Sequence, residues 1–186
     1  MGRVSQAQAE ENRKRVVETA SRLFREQGTQ VSVADLMKAA GLTHGGFYKQ
    51  FASKEALIDE ATAQAFEEFT RRRTAGPERR AGQKDTARRR LIDGYLSPAH
   101  RDNAAEGCPV AALATDMARE PGDREAHRVY SEGVAEFADW LATDDQDGIT
   151  RLCTMVGALV LSRATTGSPL SDEILASARA ALTATD

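Results

Sequence analysis

Apolar residues recur at helical spacing along almost the whole chain, and turn residues separate the periodic segments. The first segment runs from about Gln8 to Gln27, places Val16, Ala20 and Phe24 on one face, and ends at Gly28. No stretch alternates apolar and polar residues as a half-buried strand does. The pattern therefore predicts an all-α fold.

A short second helix is predicted to begin near Val33. Ser32 precedes the apolar run and Asp35 follows three residues later, so this hydroxyl and carboxylate can satisfy amides at the helix N-terminus. Gly41 can take the left-handed conformation that ends the helix. Thr43 is then the expected N-cap of the next helix.

The third helix is expected from His44 to about Gln50. Phe47 and Phe51 are four residues apart, share a face and are assigned to the core. This leaves His44, Gly45 and Lys49 pointing outward. Two consecutive glycines in the first turn each cost about 1 kcal/mol relative to Ala, so they suggest close approach by another molecule. Two short helices joined by a tight turn form a helix-turn-helix, whose second helix can enter the major groove of DNA.

A fourth helix, from about 53 to 73, is predicted to begin at the capping residue Ser53 and to connect this N-terminal head to a helical body. Residues 71–90 carry many arginines together with Gly76 and Pro77, and are expected to form an exposed connection. The body is predicted to contain five further helical segments: Leu91 to Leu96, Val110 to Met117, Arg124 to Leu141, Ile149 to Ala164 and Asp172 to Leu182.

The head resembles the DNA-binding domain of the TetR family of transcriptional repressors over about the first third of the chain. Met37 stands where the family usually has a small residue, and Gln50 where it often has an aromatic residue or His. The resemblance is carried by Leu23, Phe24, Gln27, Gly28, Ser32, Val33, Leu36, Ala40, Gly41, Leu42, Thr43, Gly46, Phe47, Tyr48, Phe51, Ser53, Lys54, Glu55 and Leu57.

The resemblance implies a DNA-binding domain at 1–54 and a ligand-binding and dimerisation domain at 55–186. It implies a homodimeric repressor that a small molecule releases from a palindromic, double-stranded DNA operator. The dimer is expected to form through about 149–165 and 171–184, as a four-helix bundle of two helices from each protomer. The residues expected to contact DNA are Ser32, Thr43, His44, Gly45, Tyr48, Lys49 and Lys54.

The charge distribution agrees with one DNA-binding end. The net charge of −3 alone argues weakly against a nucleic-acid partner. Residues 1–54, however, hold nine Lys and Arg against five Asp and Glu, whereas 55–186 hold sixteen against twenty-three. The basic residues in and before the first helix can either reach phosphates or form a solvated face: Arg3, Arg13, Lys14 and Arg15.

The body also has large apolar residues that are candidates for a small-molecule pocket. These are Tyr95, Cys108, Leu113, Met117, Tyr130, Val134, Phe137, Trp140 and Met155. Cys108 stands at a predicted helix start, where the helix dipole would lower its pKa. Two alternatives to a ligand-released repressor therefore stay open: a thiol- or electrophile-sensing repressor that uses Cys108, and a DNA-binding regulator without small-molecule input.

Other classes of protein find little support in the sequence. The three histidines lack metal-ligand spacing, and there is no nucleophile elbow, phosphate loop or dinucleotide fingerprint, so we expect no catalytic site, metal or cofactor. No apolar run approaches membrane-spanning length, and the polar N-terminus does not resemble a signal peptide. A soluble, cytoplasmic protein is expected, with Cys108 and Cys153 as free thiols.

Overall fold

A computed structural model describes residues 6–74, 81–144 and 147–184. No strand occurs among these residues, and the all-α prediction is confirmed. A 3₁₀ helix, His44–Lys49, lies between α2 and α3. The α-helices are α1 Gln6–Gln27, α2 Val33–Ala39, α3 Lys54–Thr74, α4 Ala81–Tyr95, α5 Pro98–Asp102, α6 Pro109–Met117, α7 Glu125–Leu141, α8 Gly148–Ala164 and α9 Pro169–Thr183.

The head is built around one cluster of buried residues, the head core, to which α1, α2, the 3₁₀ helix and α3 contribute. Its residues from the head are Val16, Ala20, Phe24, Leu36, Met37, Ala40, Phe47, Phe51, Leu57, Ile58 and Ala61. The body adds Leu113 and Met117 from α6 and Ala126 from α7. The head core therefore crosses the predicted domain boundary.

The body packs as a bundle in which α8 lies against α7 and α9, and α7 lies against α3. Its core includes Ile92, Leu96, Phe137, Leu141 and Leu159, all almost fully buried. Phe66 of α3 belongs to this body core, whereas Leu57, nine residues earlier on the same helix, belongs to the head core. α3 therefore contributes residues to both cores.

A buried polar contact joins the head to α6. The Asp116 carboxylate accepts hydrogen bonds from the Thr29 amide at 3.3 Å and the Thr29 hydroxyl at 2.9 Å. Thr29 follows Gly28, which ends α1 with φ +82°. Asp59 of α3 similarly accepts a hydrogen bond from the Ala126 amide at 3.0 Å in the first turn of α7. These contacts hold the end of α1 against α6 and hold α3 against α7, so the head is fixed to the body.

The segment predicted as an exposed connection, 71–90, is helical in its described part, whereas most of its described residues are exposed as predicted. α3 continues to Thr74 and α4 begins at Ala81, while 75–80 lie outside the described residues. The physical reason is long-range: the buried Arg88 side chain donates to the carbonyl oxygens of Trp140, at 3.0 Å, and Ala142. It thereby satisfies carbonyls at the end of α7.

Elsewhere the helix boundaries match the predictions closely, with two differences. The third helix is a 3₁₀ helix rather than an α-helix. Pro98, which reads as a break, instead occupies the first turn of the short helix α5, capped by the Ser97 hydroxyl. Proline is favoured at that position because its missing amide has no partner inside the helix.

Candidate DNA-binding surface and ligand cleft

The cap of α2 has the predicted geometry. The Ser32 hydroxyl accepts a hydrogen bond from the Asp35 amide at 3.1 Å and donates one to the Asp35 carboxylate at 2.6 Å. At the other end of α2, Gly41 has φ +71°, and the Leu42 amide donates to the Met37 carbonyl at 2.8 Å. This left-handed residue turns the chain toward the 3₁₀ helix.

The 3₁₀ helix is held to the head core by one face. Phe47 is fully buried and stacks on Phe51 with ring centroids 5.4 Å apart. A side-chain carbon at Gly46 would lie 3.6 Å from the Met37 Cε, so Met37 fills the space beneath this helix. Thr43 has the extended backbone of an N-cap, although its side chain makes no capping hydrogen bond.

The opposite face of the 3₁₀ helix is open. His44, Gly45, Tyr48 and Lys49 are exposed, and the Tyr48 side chain is the most exposed large apolar group, at 67%. A side-chain carbon at Gly45 would meet no atom within 4 Å. No ion pair joins Lys49 to another residue in the described part of the chain. We call this exposed face the ridge. It offers the Lys49 cation, the rings of His44 and Tyr48, and the bare backbone at Gly45.

The N-terminus of α3 lies beside this ridge in sequence. The Ser53 hydroxyl accepts a hydrogen bond from the Ala56 amide at 3.2 Å, which caps the helix. Backbone and Ser53 hydrogen bonds lower the pKa of Glu55, as expected where helix amides favour negative charge. Lys54 is partly exposed at this positive end. The positive N-terminus of α3, together with Lys54, is suited to binding a phosphate group.

The basic residues of α1 are used differently. Arg13 pairs with Glu60 of α3 at 2.5 Å and lies over the Phe51 ring, 4.8 Å from its centroid. Arg13 thus stabilises the head itself. Lys14 and Arg15 remain exposed, and Arg3 lies outside the described residues.

A cleft of about 250 Å³ lies between the head and the body. Tyr95, Gly107 and Cys108 are buried at its base, and Phe69 and Leu91 form apolar walls. Its other lining residues are Arg25, Arg72, Arg73, Arg90, Gly94, His100 and Glu106. Arg25 comes from α1, so one helix of the head reaches the cleft directly.

Two of the nine predicted pocket residues, Tyr95 and Cys108, line this cleft. The structure places Leu113 and Met117 in the head core, and Phe137 and Met155 in the body core. The other three, Tyr130, Val134 and Trp140, are partly buried against the cores. The sequence prediction selected these residues by size and hydrophobicity alone. Such side chains serve equally well for packing between helices, which is how the fold uses them.

Four of the ten missed cleft residues are arginines. Arg72, Arg73 and Arg90 fall in the segment that reads as an exposed connection. Arg25 is buried on the same face of α1 as Phe24 and Ser21. A cation next to a core phenylalanine was the available signal, because a buried arginine needs partners inside the protein.

The predicted lowering of the Cys108 pKa is wrong. Cys108 is the N-cap of α6, but the thiol is buried, and burial raises its pKa more than hydrogen bonds from the Tyr95 hydroxyl and the Ala111 and Val110 amides lower it. Cys153, by contrast, is exposed. Both cysteines are free thiols, as predicted.

The sequence of the head matches known regulators. The family described as "Bacterial regulatory proteins, tetR family" matches residues 16–61. Over 61 residues, 32% of this chain, the sequence is 38% identical to the HTH-type transcriptional regulator AcrR of Shigella flexneri. The aligned segment spans 28% of the length of that relative.

The fold matches solved structures over nearly the full length. A TetR-family transcriptional regulator from Cytophaga hutchinsonii has a TM-score of 0.73 at 18% identity, over 98% of both chains. AibR, solved in complex with isovaleryl coenzyme A and operator DNA, has a TM-score of 0.61 at 15% identity, over 91% of this chain and 97% of that one. At such identities the likeness concerns the fold.

Proposed function

Because this chain belongs to the TetR family of bacterial regulatory proteins, we propose that it is a homodimeric repressor that a small molecule releases from its operator. The observation that carries the proposal is the ridge of the 3₁₀ helix, anchored by Phe47 and open at His44, Gly45, Tyr48 and Lys49. A rigid helix with one bare face is suited to the major groove. AibR, a fold neighbour, was solved with both DNA and a small molecule, which supports the two binding roles.

Each of the seven residues predicted to contact DNA receives a role in this proposal. Thr43, His44, Gly45 and Lys49 meet base edges and phosphates from the major groove. Ser32, Tyr48 and Lys54 hold the backbone and fix the register of the protein on the duplex. The Ser32 hydroxyl caps α2 and donates its proton to the Asp35 carboxylate. It can therefore donate to a phosphate only if it releases that carboxylate.

Replacing Lys49 with alanine is expected to lower the magnitude of the salt dependence of operator binding by about one unit, because one phosphate contact is lost. Fluorescence anisotropy of a labelled operator fragment at several salt concentrations measures this slope. The matched control is Arg119→Ala, which removes an exposed cation from the body and should leave the slope unchanged. An unchanged slope for Lys49→Ala would remove this residue from the phosphate contacts.

The dimer is proposed to form through α8 and α9. Ile149, Val160, Leu161 and Leu170 are exposed on these two helices, although soluble monomers rarely leave such apolar residues together. A groove of about 460 Å³ runs between the helices past Gly157, where a side-chain carbon would meet nothing within 4 Å. An isologous pairing of this surface would cover the apolar residues and set two heads on one operator.

Replacing Leu161 with glutamate is expected to convert dimer to monomer and to weaken operator binding, because a carboxylate would be buried against its symmetry mate. Analytical ultracentrifugation measures the assembly state. Ala135→Glu on the exposed face of α7 adds the same charge away from α8 and α9 and should leave the dimer intact. If Leu161→Glu sediments as the parent does, the dimer interface lies elsewhere.

The alternatives carry less support. A sensor that uses the Cys108 thiol requires a reactive thiolate, and burial raises the pKa of this group. A regulator without small-molecule input leaves the cleft unexplained. We assign the chain no catalytic role, since regulators of this family act by binding.

An operator-binding protein works where the chromosome is, so we propose a cytoplasmic location. No helix in the described part of the chain is long and apolar enough to cross a membrane.

A further inference from the structure

The cleft between head and body has an excess of positive charge. Among the described residues, four arginines line it, at positions 25, 72, 73 and 90, together with the carboxylate of Glu106. Glu106 pairs with Arg72 and, at 3.0 Å, with Arg22, and Glu68 pairs with Arg25 at 3.1 Å. Arg90 forms no ion pair with any residue that the structure describes. An anion entering the cleft would therefore meet one cation, Arg90, whose charge no carboxylate of the described residues offsets.

Arg25 is the deepest of these cations. Its side chain is 1% exposed, and it donates to the Glu68 carboxylate at 3.1 Å and to the Gly107 carbonyl at 3.3 Å. Burial lowers the pKa of Arg25 although Glu68 and Glu106 act in the opposite direction. Ser21, Gly107 and Glu68 use three of the five N–H donors of the guanidinium, so a second anion beside it would find donors and would stabilise the buried charge.

The base of the cleft adds a neutral hydrogen-bond donor. Tyr95 is buried, and the only group that interacts with its hydroxyl among the described residues is the Cys108 thiol. Burial raises the pKa of Tyr95 well above its usual value, so the hydroxyl keeps its proton. A thiol is a weak hydrogen-bond acceptor, so a ligand oxygen would be a better partner for this buried donor.

The imidazole beside Tyr95 is fixed in one neutral form. His100 Nδ1 lies 2.8 Å from the Tyr95 carbonyl oxygen, and the Cys108 amide donates to Nε2 at 3.1 Å. A ring that donates from one nitrogen and accepts at the other is uncharged. His100 therefore shapes the cleft without adding to its charge.

The volume limits the size of the ligand. About 250 Å³ corresponds to the liquid volume of about eight water molecules. Phe69 and Leu91 offer apolar contact to the rest of such a molecule. A single-ring or short-chain carboxylic acid matches this space, whereas a whole nucleotide does not.

We propose that the cleft binds a small monocarboxylate with an aromatic or short aliphatic body, and that Arg25 transmits its binding to the head. The proposal rests on the ligand-responsive function above and names the class of ligand. A carboxylate beside Arg25 competes with Glu68 and Gly107 for the guanidinium. Because Arg25 belongs to α1, this exchange changes how the head is held against the body.

Isothermal titration calorimetry with benzoate and hexanoate tests the ligand class, with benzamide and hexanamide as neutral counterparts of the same size. We expect the acids to bind at least ten times more tightly than the amides. Arg90→Gln should weaken acid binding at least tenfold. The control Arg89→Gln removes the neighbouring cation, which donates instead to the Thr183 carbonyl at 3.3 Å, and should change binding less than twofold.

Three results would overturn the ligand class: no binding of either acid, equal binding of acids and amides, or equal losses in the two arginine variants. These titrations contain no DNA. A failure of the DNA-binding proposal would therefore leave their outcome intact, and the reverse also holds.

The role of Arg25 is tested by the ratio of operator affinities without and with saturating benzoate. We expect the ratio for the parent to fall in the range typical of allosteric coupling, about five- to 150-fold. Arg25→Lys should bring the ratio close to one. Glu68→Gln, which removes the competing carboxylate, should tighten benzoate binding about threefold or more. The proposed transmission would be contradicted if the ratio for Arg25→Lys were as large as that of the parent, or if Glu68→Gln bound benzoate more weakly than the parent.

Discussion

Replacing Gly148 with alanine is expected to destabilise the protein by about 3 kcal/mol or more, which places it among the severe single substitutions. Gly148 begins α8 where that helix touches the end of α7. An added side-chain carbon would lie 1.9 Å from the Ala138 carbonyl oxygen and 2.8 Å from its carbon. Both are backbone atoms, so no side-chain rotation can relieve the overlap. Thermal unfolding should show a decrease in Tm of roughly 6 to 12 °C for a chain of this size.

Gly94→Ala is the matched control for this substitution. Gly94 lies within α4, is exposed, and a side-chain carbon there would meet nothing within 4 Å. Alanine at this position should stabilise the protein by about 0.5 to 1 kcal/mol, because glycine is a poor helix former. If the two variants unfolded at the same temperature, the close contact between α7 and α8 would be wrong.

Replacing Gly45 with leucine is expected to leave the fold intact and to weaken operator binding at least 100-fold, equivalent to about 2.7 kcal/mol. The position is exposed and open in the protein alone. A leucine on the ridge would hold the 3₁₀ helix away from the floor of the major groove. Circular dichroism checks the fold, and anisotropy with labelled operator measures the affinity.

Gly122→Leu controls for the added apolar surface. Gly122 is also exposed, with open space around it, in the connection between α6 and α7. This variant should bind the operator as the parent does. Undiminished binding by the Gly45 variant would move the DNA contacts away from the first turn of the 3₁₀ helix.

Local chemistry made the head predictable from its sequence. Ser32 and Asp35 form their cap within four residues, and Gly41 ends α2 through its own backbone freedom. Phe47 and Phe51 reveal the buried face by their spacing alone. The exposed ridge followed by elimination, because the remaining positions of that helix could only face outward. Only the 3₁₀ geometry was missed, since the same residues suit either kind of helix.

Distant contacts made the body less predictable. Arg88 belongs to a segment that reads as polar and broken, yet the end of α7 gives it partners more than fifty residues away along the chain. The Ala126 amide at the N-terminus of α7 likewise donates its hydrogen bond to the Asp59 carboxylate rather than to a neighbour in sequence. Neither partner can be read from local spacing, so the extent of α4 could not be predicted.

The cleft between the head and the body shows the same limit. Hydrophobic size selected residues such as Phe137 and Met155, which the fold uses for packing. The cleft instead collects charged residues from α1, α3 and α4, whose proximity depends on the tertiary structure. Tyr95 and Cys108 were selected by the same criterion, and the fold places these two at the cleft.

The shared head core has a consequence for the design of hybrid regulators. Leu113, Met117 and Ala126 complete a core that residues 1–54 begin, and Asp116 holds Thr29. A chimera joined at residue 54 would set a foreign head on these four partners and lose both its packing and its orientation. Recombining DNA specificity with a new inducer therefore requires grafting the recognition surface alone, or transplanting α6 together with the head.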